Sequence, residues 1–104
     1  MKASLRLAAG ISICLLTGTA MADGKSVYDS ACGVCHTAGV AGAPIVGNKE
    51  AWVDRIAQGD DVLFKHVLEG FQGKVGYMPP KGGFAHLSDE DVQAALDYMV
   101  QNSQ

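Results

Sequence analysis

The residue types best suited to chemistry are gathered in one run, Cys32-Gly33-Val34-Cys35-His36. Two thiols separated by two residues can make a disulfide, a redox dithiol, half of a zinc site or a pair of thioether attachment points. A zinc site needs four ligands, and His66 and His86 stand at no familiar ligand spacing from the pair. A thioredoxin-like dithiol needs alternating strands and helices, which the rest of the chain does not suggest. The histidine directly after the second cysteine completes C-x-x-C-H, the arrangement of covalent haem attachment. This spacing lets two thiols reach the vinyl groups on one porphyrin edge while the imidazole is held beneath the iron. The reading assigns one haem c to Cys32 and Cys35, with His36 as its proximal ligand.

A second chemical element is Tyr77-Met78-Pro79-Pro80-Lys81-Gly82-Gly83. A thioether is a soft ligand for haem iron, and a methionine paired with a histidine favours the ferrous state. Tandem prolines stiffen the segment behind Met78, as a ligand loop requires. Met78 is the candidate sixth ligand; the plainer alternative is a methionine filling a gap in the core. Met99, His66 and His86 compete for the same position, each with a simpler role. Met99 falls on an apolar helix stripe, His66 sits within a helix and His86 lies near a helix entrance.

The elements that must position these residues start with export. Lys2 and Arg6 precede an apolar stretch from Leu7 to Leu16, and Ala20-Met21-Ala22 gives a small-x-small cleavage pattern. Residues 1–22 read as a signal peptide cleaved after Ala22, and 23–104 as one domain in the periplasm. The apolar stretch is shorter than the roughly 20 residues of a spanning helix. Cys14 follows Ile13, not a small residue, so no lipid anchor is expected, and this cysteine leaves with the signal. Of eight Lys and Arg, six remain after residue 22, against all eleven Asp and Glu, a net charge of −5. An acidic domain argues against nucleic acid or an anionic membrane surface as partner. So small a domain is marginal on its hydrophobic core alone and is commonly assisted by a cofactor.

The domain reads as helices and loops. Lys25 to about Ala31 predicts a first helix with Val27, Tyr28 and Ala31 on one face, leading into the haem motif. Gly39 to Gly47 is a loop, because three glycines and Pro44 interrupt it. Asn48 caps a helix over Lys49 to Gln58 with Trp52, Val53 and Ile56 inward, and Gly59 stops it. Asp60 caps another over Asp61 to Glu69, with Val62, Leu63, Val67 and His66 along its inner side. Phe71 to Leu87, rich in glycine and holding two prolines, is a long irregular loop shaped around a ligand. Ser88 followed by three acids starts a last helix, whose stripe is Val92, Ala95, Leu96 and Met99.

Several segments together resemble the short bacterial class I cytochromes known as cytochrome c5. They are Gly24-Lys25 with Val27-Tyr28, Cys32 to His36, Gly39 to Pro44, Ala51-Trp52 with Arg55 and Gly59, Met78 to Gly83, and Leu87-Ser88-Asp89. The resemblance covers essentially the whole chain after the signal. It implies an all-α class I cytochrome c fold, four to five short helices around one covalent haem, with the first and last helices packed across each other. It further implies His36 and Met78 as axial ligands and the Pro44 backbone carbonyl as partner of the His36 ring N–H. By the same analogy Trp52 and Arg55 lie near the haem edge or propionates; an ordinary core tryptophan and a solvated arginine are the alternatives. Some members of the family carry an extra disulfide, absent here, so packing, prolines and the Met–iron bond must hold the late loop.

With both axial positions filled by protein, the implied activity is outer-sphere transfer of one electron, not an enzyme reaction. Donor and acceptor would be redox proteins of a respiratory chain: a quinol-oxidising complex, a terminal oxidase or a peroxidase. A monomer is expected, docking briefly through Val40 to Val46 or the loop around Lys81 to Phe84.

Overall fold

A computed structural model describes residue 4, residues 9–12 and residues 23–104. Cys14, Ala22 and most of the expected signal lie outside the described residues. The domain opens with three helical pieces in direct succession: α1 (Gly24–Val27), a π-helical turn (Tyr28–Cys32) and α2 (Gly33–His36). The wide turn ends on Cys32, and such turns, uncommon overall, are frequent at functional sites. Then come α3 (Lys49–Ala57), α4 (Asp60–Glu69) and α5 (Asp89–Gln101). The all-helical class stands.

Local chemistry accounts for the helix starts. The Asn48 side chain accepts a hydrogen bond from the Ala51 N–H, and Ser88 Oγ accepts one from the Asp91 N–H. Each supplies a partner to an amide that the helix itself leaves unpaired. Asp60 differs from the expected cap. Gly59, at φ 96°, holds the cap position of α4, and the Asp60 carboxylate accepts from the Gln93 side chain of α5 instead. The positive φ suits glycine, so the turn is made one residue earlier than the acidic cap implied.

The core forms where α1 meets α5. Val27, Tyr28, Trp52, Ala95 and Met99 are buried together, and the rings of Tyr28 and Tyr98 lie 5.2 Å apart. A Cβ added to Gly24 would stand 2.2 Å from the Ala94 carbonyl oxygen, so the crossing brings backbone against backbone and admits no side chain there. On α3, Trp52 is buried whereas Val53 is 60% exposed, against expectation. The indole N–H donates to the Ile45 carbonyl at 2.9 Å, which fixes the inward face of this short helix and turns Val53 to solvent. Leu63 is the buried residue of α4, with Val67 and His66 half-buried and Val62 exposed.

The long segment after α4 is more ordered than expected. β1 (Phe71–Gln72) pairs antiparallel with β2 (Tyr77–Met78), in the register Phe71 to Met78 and Gln72 to Tyr77. A 3₁₀ turn, Pro80–Gly83, follows. Glycine-rich sequence hid this ribbon, because two-residue strands leave no alternating pattern to read.

Candidate haem-binding site

All six residues singled out by sequence, Cys32, Cys35, His36, Pro44, Trp52 and Met78, line one cavity. Its empty volume, open mouth included, is about 1330 Å³. Its lining is predominantly apolar with a few polar groups converging on it, which suits a macrocycle. Ala31, Leu63, Val67, Leu96 and Met99 furnish apolar wall, drawn from the core faces of the surrounding helices. A second, shallow depression between α4 and α5, floored by Phe64 and rimmed by Asp89, Glu90 and Asp97, contains none of these residues.

His36 ends α2 and is 8% exposed. Its Nδ1 lies 2.9 Å from the Pro44 carbonyl oxygen. A carbonyl only accepts, so Nδ1 carries the proton, and in the neutral ring Nε2 keeps its lone pair. Nε2 makes no hydrogen bond among the described residues. Burial pushes the His36 pKa down, the Pro44 hydrogen bond opposes this, and the Arg55 charge adds to the lowering. The ring is thus held neutral and aimed, the state a metal-ligating imidazole requires. The Val46 N–H donates to the His36 carbonyl at 2.9 Å, fastening the following loop to the same helix end.

Cys32 and Cys35 are free, partly buried thiols. Burial pushes the Cys32 thiol pKa up. A catalytic dithiol needs the opposite shift, because the thiolate is the nucleophile. The donor set therefore fits covalent haem better than disulfide exchange: two thiols and a neutral imidazole face one large apolar cavity.

Trp52 combines the two roles weighed from sequence. It is a core residue and it lines the cavity, with its ring 6.1 Å from that of His36. Its one donor is taken by Ile45, so the indole N–H is not directed at a propionate. Arg55 lines the cavity while its guanidinium donates to the Ala51 carbonyl one helical turn back.

Among the competitors of Met78, His86 does not line the cavity and instead meets Phe84 edge-on. His66 and Met99 do line it. Met99 is 5% exposed within the core cluster, as the stripe on α5 implied. His66 lies against Phe71 in a stacked pair, with centroids 4.1 Å apart and planes 23° apart.

Three positioning contacts were missed by sequence reasoning. Lys81, at φ 52°, donates to the Leu87 carbonyl at 2.6 Å and pairs with Asp89 at 3.0 Å, tying the Met78 loop to the start of α5. Ser103, 1% exposed, accepts from the Gly47 N–H at 3.1 Å and anchors the C-terminal end on the loop after His36. Gly76 packs against the Ala41 carbonyl and Val75 against Gly42, so the two loops meet at the cavity mouth. The last two join residues far apart in sequence, and the Lys81 contacts cross six and eight residues of irregular chain, so no local pattern signals any of them.

A family model described as cytochrome c oxidase, cbb3-type, subunit III matches residues 19–99. Cytochrome c-555 of Chlorobaculum tepidum is 46% identical over 93 residues, 86% of this chain and 86% of that protein. This chain belongs to the class I cytochrome c family. Cytochrome c5 of Azotobacter vinelandii is 38% identical over 78 residues, 73% of this cytochrome and 89% of that one. Two solved structures share the fold. A cytochrome c in an electron-transfer complex with nitrite reductase has TM-score 0.69 and 42% identity, over 78% of this chain and 94% of its own. A mono-haem ferrocytochrome c from Shewanella putrefaciens has TM-score 0.64 and 40% identity, over 80% and 96%. The cytochrome is accordingly a haem-containing electron carrier with one covalent c-type haem. No helix among the described residues is long and apolar enough to cross a membrane.

Proposed function

We propose that this cytochrome is an exported one-electron carrier, its haem attached through Cys32 and Cys35 and ligated by His36 and Met78. The observation that carries the reading is the convergence of these four residues, from opposite sides of a long connecting segment, on one apolar cavity. When bound, haem supplies a single ferric/ferrous couple. The protein's part is to hold that couple still and dry. The Pro44 carbonyl fixes the His36 ring; Pro79, Pro80 and the Lys81 contacts hold the segment carrying Met78; Trp52, Leu63 and Leu96 exclude water. With His36 and Met78 both on the iron, no open coordination position is left for a substrate, which favours a carrier over an enzyme.

Electrons would pass at the mouth, where Val40, Val75 and Tyr77 are 50%, 74% and 55% exposed. A small apolar rim suits a brief encounter with a redox protein, since such interfaces are at the low end of buried area. The nitrite reductase complex of the structural neighbour supports this class of partner. The signal-like residues 1–22 support passage to the periplasm before docking. The test is the visible and far-red spectrum of the ferric holoprotein and of Met78→Ala. The Met–iron charge-transfer band should be present in the first and absent in the second. A low-spin spectrum unaltered by the substitution would move the sixth position to Met99 or His66 and overturn the assignment.

A further inference from the structure

Met78 is held by a short ribbon, and the ribbon needs a support. Phe71 and Met78 stand directly opposite each other in the antiparallel pair, so both side chains project from the same face, and both line the cavity. Phe71 is nonetheless 45% exposed, so burial alone does not hold it. What lies against it is His66, from the last turn of α4, stacked at 4.1 Å and 23°. The row His66, Phe71, Met78 therefore runs from a rigid helix to the proposed ligand. Gly70 is the single residue between helix and ribbon. A Cβ added there would meet the Met78 carbonyl oxygen at 3.1 Å and Pro80 Cδ at 3.0 Å, so the end of α4 is packed tightly on the ligand segment.

We propose that His66 is a positioning residue for the sixth ligand: its imidazole, used as a flat ring, braces Phe71 and thereby keeps Met78 on the iron. This rests on the assignment of Met78 above. It gives His66 a role that is neither ligand nor solvated histidine, and it makes ring shape, not ring charge, the property that matters. A stacked pair is worth a modest factor beyond its buried area. Loss of the brace should raise the population in which Met78 has left the iron by about two- to tenfold.

The experiment measures equilibrium cyanide binding to the ferric holoprotein, together with the Met–iron band, in wild type, His66→Ala, His66→Phe and Met78→Ala. Cyanide competes with Met78, so its apparent affinity reports how often the position is open. His66→Ala should bind cyanide about two- to tenfold more tightly and show a weakened band. His66→Phe, which retains a flat ring, should match wild type, and Met78→Ala should bind tightest. Wild-type behaviour of His66→Ala beside tighter binding by Met78→Ala would overturn the inference alone. Failure of His66→Phe to restore wild-type affinity would equally overturn it, since the ring's polarity and not its shape would then be at work. Equal affinity in wild type and Met78→Ala would bring down the ligand assignment and this inference with it.

Discussion

Gly24→Ala sets helix propensity against packing, and the two have opposite signs. In the structure a Cβ at this position falls 2.2 Å from the Ala94 carbonyl oxygen and 3.4 Å from Tyr98 Cβ. Close carbon–oxygen contacts settle near ~3.3 Å, so α1 and α5 must separate by about 1 Å, or α1 must rotate, to admit one methyl group. That motion disturbs the core of Val27, Tyr28, Ala95 and Met99, and overpacking of this sort costs about 1–3 kcal/mol. Alanine in a helix is favoured over glycine by up to ~1 kcal/mol, less at a first position such as Gly24. The net expectation is a loss of about 1–2 kcal/mol. In a domain this small that lowers the unfolding midpoint by roughly 5–15 °C. Thermal unfolding of the two holoproteins, followed by far-ultraviolet circular dichroism, measures it. An unchanged or raised midpoint would refute the crossing, because propensity would then be acting unopposed.

Three further outcomes follow from the site. Trp52→Phe removes the donor to the Ile45 carbonyl, and denaturant unfolding should show a loss of about 1–3 kcal/mol; a loss under ~0.5 kcal/mol would deny that bond its role. Pro44→Ala keeps the acceptor, which is backbone, so the Met–iron band should persist and stability should fall by only about 0.4–1 kcal/mol; disappearance of the band would mean that the proline ring itself positions His36. The haem-free double variant Cys32→Ser, Cys35→Ser should lack a cooperative transition and bind a hydrophobic dye. Without haem the apolar faces of Ala31, Leu63, Val67 and Leu96 lose the partner that covers them, in a domain whose whole stability is only ~5–15 kcal/mol. A sharp unfolding transition in that variant would show that the fold stands without its cofactor.

Features written in short-range patterns were the ones legible in the sequence. Asn48 and Ser88 cap helices because a side-chain oxygen needs only the next turn to act on. Val92, Ala95, Leu96 and Met99 are all buried because a thirteen-residue helix repeats its inward face often enough to read. Cys32, Cys35 and His36 stood out by chemical type and spacing, and Met78 by its prolines. Features set by distant contacts were not legible. Val53 faces solvent because Trp52 is bonded to Ile45, outside the helix. Asp60 gives up the cap to Gly59 and serves Gln93, 33 residues later. Ser103, just past the last helix, is buried because its partner is Gly47, 56 residues earlier. The Phe71 to Met78 pairing rests on two residues per strand, too few for any periodicity.

The account stands most directly on the claim that the protein itself fills both axial positions. The measurement is the spectrum of the reduced wild-type holoprotein before and after saturation with carbon monoxide at neutral pH. The account predicts that the two spectra coincide, with an adduct forming only in Met78→Ala. Ready formation of the adduct by the wild type would reveal an open or easily vacated position and contradict the carrier assignment in favour of a ligand-binding haem protein.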